Sequence, residues 1–296
     1  MIPQRLIALV AGAALLLAAC GDDGGTTAAD DSTTTTTAAA TSTTTTAPDD
    51  DGGDDVVVFG ALVYFTADEA VATAGRSVEV PAVARGALEW MLHGPQGVEV
   101  EIGQTSEIPE GTELLGIDVD DGVAMDGVAT VDLSSEFAAG GGSLSMQLRV
   151  AQVVFTLTQF ATVDTVDITI EGESVDTIGG EGVPARGLDR TDFTAVTPRV
   201  LIEVPVPGQA VYSPLEVSGM ANTFEANVQY SVTDGEGLIV DEGFTTATAG
   251  NGTFGTFTVT SEFEVTRPGV GAVIGFETSA EDGSQVNAYE VPVEIG

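Results

Sequence analysis

There is no lysine in this chain of 296 residues, and its eight arginines face 46 aspartates and glutamates. The formal charge is −38 and the isoelectric point lies near 4.1. Binding nucleic acid needs cations that replace condensed counterions, and an anionic membrane surface makes the same demand, so the folded part suits neither. Cysteine and histidine occur once each, as Cys20 and His93. A lone cysteine leaves an exported chain without an internal disulfide or a thiolate metal cluster. With one histidine a serine triad has a single possible base, and no serine stands in a nucleophile-elbow context.

What is present begins with an export signal. Met1 to Cys20 has one early positive charge at Arg5, an apolar run from Leu6 through Leu17, and then Ala18, Ala19 and Cys20. That is the form of a signal peptide, too short in its apolar part to be a membrane span. Leu17-Ala18-Ala19-Cys20 resembles the bacterial lipobox. The resemblance implies that the Cys20 thiol receives a diacylglycerol and becomes the N-terminus after cleavage. The protein would then be exported and held by lipid at the outer face of the bacterial cytoplasmic membrane. Residues 21–55 are rich in Thr, Ala, Asp and Gly with almost no large apolar side chain, so they cannot offset the entropy of ordering. As a coil this tether spans on the order of 30–35 Å, and drawn out it reaches about 115 Å.

Residues 56–193 read as an α+β domain, with helices packed on a small sheet. Val56 to Phe59 and Leu62 to Phe65 are short apolar runs that suit an interior strand. Pro81 suits the first turn of a helix with Val83, Ala84, Ala87, Leu88, Met91 and Leu92 as its stripe, ended by His93-Gly94-Pro95. His93 there complements the helix dipole rather than doing chemistry. Leu114 to Val119 and Val128 to Leu133 alternate at period two around Asp120-Asp121-Gly122 and Asp126-Gly127. Ser143 to Thr162 has helical spacing: Met146, Val150, Val153, Leu157 and Phe160 form one stripe, with Ser143 placed to cap. Its other face carries Gln147, Arg149, Gln152, Thr156 and Gln159, and no catalytic group. Val166 to Ile170 is the next strand. An EF-hand needs oxygens at its first, third and fifth positions, glycine at the sixth and glutamate at the twelfth. Asp118, Asp120 and Asp121 fit only its beginning, so neither a metal nor another cofactor is expected.

Several of these segments together resemble the sporulation and spore germination domain called GerMN. They are Tyr64-Phe65, the Ala87 to Leu92 helix with Gly94-Pro95, Ile108-Pro109-Glu110-Gly111-Thr112, Val128 to Phe137 (VATVDLSSEF), Gln152 to Leu157, and Arg190-Thr191-Asp192-Phe193. The resemblance implies an envelope-associated α+β domain with no catalytic residues to carry over, and contact with protein partners.

After Thr197 only short alternating strands follow, punctuated by Pro207-Gly208, Asp234-Gly235, Pro268-Gly269 and Asp282-Gly283, so residues 198–296 read as an all-β sandwich. In Arg199 to Val204 the interior parity is Val200, Ile202 and Val204, with Leu201 and Glu203 facing out. Pro207 to Val211, Leu215 to Ala221, Phe224 to Val228 and Phe276 to Ser284 (FETSAEDGS) resemble the immunoglobulin-like domain of bacterial spore germination proteins, here without its antibody-type disulfide. Phe224-Glu225-Ala226 reads as a strand anchor, Phe224 entering the core, in preference to a recognition loop.

These readings favour a non-enzymatic, lipid-anchored envelope protein that binds or scaffolds protein partners or wall components, with a role in sporulation or germination. Two alternatives share parts of the pattern. An envelope hydrolase could use a pair of the many carboxylates, but no pair is singled out. A solute-binding lipoprotein of a transporter would share lipobox and tether, but such proteins have two large α/β lobes rather than a terminal sandwich.

Two outcomes are expected. Replacing Cys20 with alanine removes the anchor, so the processed variant leaves the detergent phase on partitioning; retention there places the anchor elsewhere. The soluble part, 55–296, is monomeric at low salt and gains stability as salt is added. Its like charges repel, and the Debye length shortens from about 30 Å at about 0.01 M to about 8 Å at about 0.15 M. Sedimentation velocity and melting at both salt levels check this; an oligomer at low salt that dissociates as salt rises contradicts it.

Overall fold

The computed structural model describes residues 57–119, 127–279 and 281–296. Cys20, the signal and tether segments, and the turn at Asp120-Asp121-Gly122 and Asp126 lie outside these residues. Val58–Ala67 (β1) and Ala70–Glu79 (β2) form an antiparallel hairpin turned by Asp68 and Glu69, both at positive φ. The two apolar runs are therefore one strand, continuous through Gly60. Its partner, AVATAGRSVE, has mostly small side chains and so carries little strand signal, and the Asp-Glu turn lacks the glycine or asparagine that such turns favour. Val83–His93 (α1) buries Ala87, Leu88 and Met91 and ends at Gly94, whose φ of 82° suits glycine. Pro81 lies outside the helix, just before the N-cap Ala82, rather than in its first turn.

A short helix, Val98–Glu101 (α2), leads to Leu114–Val119 (β3), which pairs antiparallel with Val128–Leu133 (β4). Ser143–Leu157 (α3) then connects β4 to Thr165–Ile170 (β5), its parallel neighbour, and Glu173–Ser174 (β6) completes the sheet in the order β3-β4-β5-β6. Thr177–Ile178 (β7) and Val183–Pro184 (β8) make a small hairpin. The expected helix to Thr162 stops at Leu157, where the Thr158 hydroxyl donates to the Val154 carbonyl and the chain turns away. Ser143 does not cap it. The N-cap is Gly142, and the Ser143 hydroxyl instead donates to Glu181 at 2.6 Å.

Burial of α3 runs almost all round, including Arg149, Gln152 and Thr156. Its polar row supplies what the outer edge of β1 lacks. The Leu62 amide donates to Gln159 Oε1 (2.7 Å) and Gln159 Nε2 returns a bond to the Leu62 carbonyl (2.6 Å). Two residues on, the Tyr64 amide donates to Thr156 Oγ1 and Gln152 Nε2 donates to the Tyr64 carbonyl. Thr66 then pairs backbone to backbone with Thr105. Residues 62, 64 and 66 point their amides away from β2, so each would otherwise leave buried polar groups unpaired, at about 1–3 kcal/mol apiece. Arg149 serves similarly, donating to the carbonyls of Glu107, Phe137 and Ala139. Burial lowers its pKa, and the Glu107 charge opposes that shift.

The second part is all β. Val200–Val204 (β9), Ala210–Val211 (β10), Leu215–Ala221 (β11), Asn227–Thr233 (β12), Ile239–Thr246 (β13), Gly255–Ser261 (β14), Gly269–Thr278 (β15) and Gln285–Ile295 (β16) form two sheets, ordered β10-β16-β15-β12-β13 and β14-β11-β9. Val200, Ile202, Val217, Val228, Val232, Val273, Val291 and Val293 fill the space between them. Alternate residues thus face a shared interior. Leu201 and Glu203 do point away from it, as expected, but not to solvent. Leu201 is fully buried and joins the core of the first part together with Met220.

A seam of specific contacts therefore joins the α+β part to the sandwich. Thr73 Oγ1 donates to the Ile202 carbonyl, and the Thr73 amide donates to the Tyr289 hydroxyl. A Cβ on Gly75 would stand 2.6 Å from Val206 Cγ2, so the close approach of β2 needs glycine. At the centre, the Tyr64 hydroxyl donates to the Glu203 carboxylate, and Arg190 Nη1 reaches the same oxygen at 2.7 Å. The guanidinium also donates to Tyr64 Oη, Thr158 Oγ1 and the Phe155 carbonyl, and lies over the Phe155 and Tyr64 rings. Burial opposes the charge on Arg190, but Tyr64 and Glu203 outweigh it and the net pKa is raised. Burial is also the main reason the Tyr64 pKa stands well above its usual value. The group is a neutral phenol between two paired ions.

Removing one ion should expose the cost of holding the other. The Arg190 and Glu203 side chains are only 20% and 18% exposed. Glu203→Ala is expected to lose about 3 kcal/mol in denaturant unfolding, because a guarded guanidinium is left without its carboxylate. A loss under about 0.5 kcal/mol would mean that water reaches Arg190 freely.

Candidate functional site

Phe224 does not enter the core. The strand-anchor reading is corrected by its exposure, 64%, which leaves the ring standing on the surface at the entry to β12. What mattered was the backbone rather than hydrophobicity: Glu225 and Ala226 both adopt positive φ, 54° and 57°, and this sharp turn carries the Phe224 ring outward. Such a conformation is unfavourable for residues with a Cβ, on the order of 1 kcal/mol each, and persists only where surroundings impose it.

The surroundings are identifiable. The Phe224 amide donates to Glu277 Oε1 at 2.7 Å, and Asn287 Nδ2 steadies the other oxygen of that carboxylate. The Glu225 amide donates to Asn251 Oδ1, while the Asn251 amide and the Ala226 amide both reach the Thr223 carbonyl. Asn222 Oδ1 accepts from Gly252, and the Ala247 amide donates to the Ala226 carbonyl. Gly250 lets the two loops touch, since a Cβ there would lie 2.6 Å from the Ala226 nitrogen. The loop is held at nearly every backbone group.

A second aromatic ring stands on the adjoining sheet. Phe244 of β13 pairs with Gln229, which alternates with the core residues Val228 and Tyr230, so Phe244 lies on the outer face and is 69% exposed. Glu225 and Glu242 are exposed beside these rings in the chain. The arrangement offers two large apolar side chains on a fixed, acidic surface.

Other polar groups are engaged structurally. His93 Nδ1 lies 2.6 Å from the Glu89 carbonyl and its ring is tilted against Trp90, which fits a helix-end role. Asp241 accepts from Tyr230 Oη and Ser261 Oγ and so links β13 to β12 and β14; burial, then this carboxylate, raises the Tyr230 pKa. Arg76 forms a two-pronged pair with Glu99 at 2.5 and 2.7 Å, stacked near Phe65 and Trp90. Among the described residues no group of three or more His, Cys, Asp or Glu is arranged to hold a metal ion. Nor is any helix among them long and apolar enough to cross a membrane. Cys20, the one site residue singled out in the sequence, lies outside the described residues.

Comparison with known proteins gives two family matches. A model described as "Germane: Sporulation and spore germination" matches residues 62–176, and one described as "Gmad2: Immunoglobulin-like domain of bacterial spore germination" matches residues 199–284. No match is found among curated proteins. Among solved structures, the first GerMN domain of the sporulation protein GerM from Bacillus subtilis is 27% identical, over 45% of this chain and 98% of that one, with a TM-score of 0.36. The tandem GerMN domains of the same protein are 19% identical, over 80% of this chain and 60% of that one, with a TM-score of 0.38. The two family matches together span more than half of the chain and fall one on each side of the seam. This chain carries a Germane domain of sporulation and spore germination joined to a Gmad2 immunoglobulin-like domain of bacterial spore germination.

Proposed function

We propose that this is a non-enzymatic envelope protein, anchored through lipid on Cys20, whose immunoglobulin-like domain docks a cationic protein partner. The role in sporulation or germination follows the two family descriptions. The observation that carries docking is the Phe224 ring, held outward by a loop whose backbone is already fixed. An ordered aromatic loses little entropy on binding, which is how a few residues come to supply most of an interface's energy. The charge of −38 selects the partner's sign, because a neutral or acidic surface would meet repulsion. The domain limits 56–193 and 198–296, with the tether at 21–55, complete the proposal and let the domains stand off the bilayer.

A photo-crosslinking residue at position 224 of the full lipidated chain, in its native cells, tests this. One basic protein should be captured there and not from a control position such as Thr256 on β14. Once purified, that protein should bind the full chain, with Phe224→Ala weakening binding by more than about tenfold and added salt weakening it further. Equal capture from both positions, or affinity indifferent to Phe224→Ala, rules the surface out.

A further inference from the structure

The five-stranded sheet that carries Phe244 ends on β13. Just past one end of that strand the Ala247 amide donates to the Ala226 carbonyl, and just before the other the Asp234 amide donates to the Leu238 carbonyl. The even-numbered residues of β12 therefore aim their backbone groups at β13, where Thr245, Gly243 and Asp241 stand opposite Val228, Tyr230 and Val232. Backbone groups alternate in direction along a strand. Those of Glu242, Phe244 and Thr246 consequently point off the edge. All three residues are exposed, and among the described residues no backbone group outside the sheet bonds to their amides.

The neighbouring edges are served in other ways. On β14 the Thr256 carbonyl accepts from the Thr248 amide and the Thr258 carbonyl from the Thr245 hydroxyl. On β9 the Ile202 carbonyl accepts from Thr73, and β10 is only two residues long. Native proteins blunt a free edge with short strands, lysine or proline. β13 is eight residues long and contains neither lysine nor proline. Its outer face instead alternates an apolar and an acidic side chain, Phe244 and then Glu242 two residues away.

We propose that β13 takes up an extended segment of the cationic partner as a sixth strand of this sheet. The inference rests on the docking reading above and states how the partner is held. The outward backbone groups of Glu242, Phe244 and Thr246 supply the hydrogen bonds, and the alternate side chains supply the selection. A strand laid antiparallel has its residues directly opposite those of β13, so the segment reads apolar, any residue, basic: the first packs on Phe244 and the last pairs with Glu242. A second copy of this chain does not fit. It would bring another charge of −38 to the edge and has no lysine to set against Glu242. Each arginine among the described residues already meets an acceptor in its own chain.

Fluorescence anisotropy of the full-length lipidated chain in detergent, at about 0.15 M salt to screen diffuse attraction, tests this with a labelled acetyl-TVTLTRTV-amide peptide. The probe holds leucine and arginine on one face at the required spacing, and saturable binding is expected. Methylating the backbone nitrogens of its leucine and arginine, which face β13, should weaken binding at least about tenfold more than methylating those of the two threonines that flank the arginine. The isomer acetyl-TVTLRTTV-amide puts leucine and arginine on opposite faces and should bind at least about tenfold more weakly. On the protein, Glu242→Pro removes an outward N–H without touching the ladder to β12, so it should cost at least about tenfold more affinity than Glu242→Gln. Phe224→Ala should leave the peptide unaffected. Equal binding of the two isomers, equal loss from either methylation pattern, or equal loss from the two Glu242 variants would reduce the effect to charge attraction and overturn the added strand. So would the absence of saturable binding, and capture from position 224 would then still decide the docking reading separately. Should Glu242→Pro fail to fold, the two methylated peptides decide.

Discussion

The hydrogen bonds from α3 to the outer edge of β1 are the constraint on which the rest of the structure depends. A two-stranded hairpin leaves each strand with an unpaired side, and β1 is buried, so water cannot serve it. Gln152, Thr156 and Gln159 act in place of a third strand. Their spacing on the helix matches the two-residue repeat of outward amides on the strand, and β1 is thereby fixed in both position and register. Tyr64 converts that local fixing into a global one. Its backbone is bound by α3, its ring meets Phe155 at 5.3 Å, and its hydroxyl reaches across the seam to Glu203.

From this follows the character of the seam. An interface between domains in one chain is often polar and mobile. Here Leu201 fills the neighbouring core, Gly75 admits Val206, and the Arg190–Glu203 pair is enclosed with Tyr64. An enclosed ion pair adds little net stability against an apolar replacement, but it is intolerant of misalignment because each partner depends on the other. The seam sets the orientation of the two domains more than it strengthens them. That orientation brings β2 against β16, where the Thr73 amide meets the Tyr289 hydroxyl.

The elements with strong periodicity were legible in the sequence. Val128–Leu133, Val83–His93 and the whole of Ser143–Leu157, though not its end, follow from side-chain spacing, and the alternating strands after Thr197 from their period of two. What escaped has a common physical cause: these features depend on backbone geometry or on partners distant in the chain. Ala70–Glu79 has little β-branched character and is a strand because β1 lies beside it. Gln152 and Thr156 look like solvent-facing residues until an unpaired strand edge is brought against them. Leu201 and Glu203 satisfy the outward parity of β9, and only the other domain makes that outward side an interior. Phe224 is hydrophobic enough for a core, yet two positive φ angles turn it away. The sporulation-domain resemblance supplied the pairing of folds but no seam, since the contacts join the two.

The distribution of arginine links the fold to its environment. Each arginine among the described residues meets an acceptor within the chain: Arg76 with Glu99, Arg149 with three carbonyls, Arg190 with Glu203, Arg267 with Glu236, Arg85 with Glu89, Arg186 with Ser174 and Arg199 with the Asn222 carbonyl. The cations are spent on internal alignment, so the surface is left acidic almost everywhere. An acidic surface repels both anionic lipid and its own copies. On the proposed function, contact comes from a partner that brings positive charge. Phe224 and Phe244 interrupt that acidic surface, so the proposed partner would gain apolar burial as well as charge pairing.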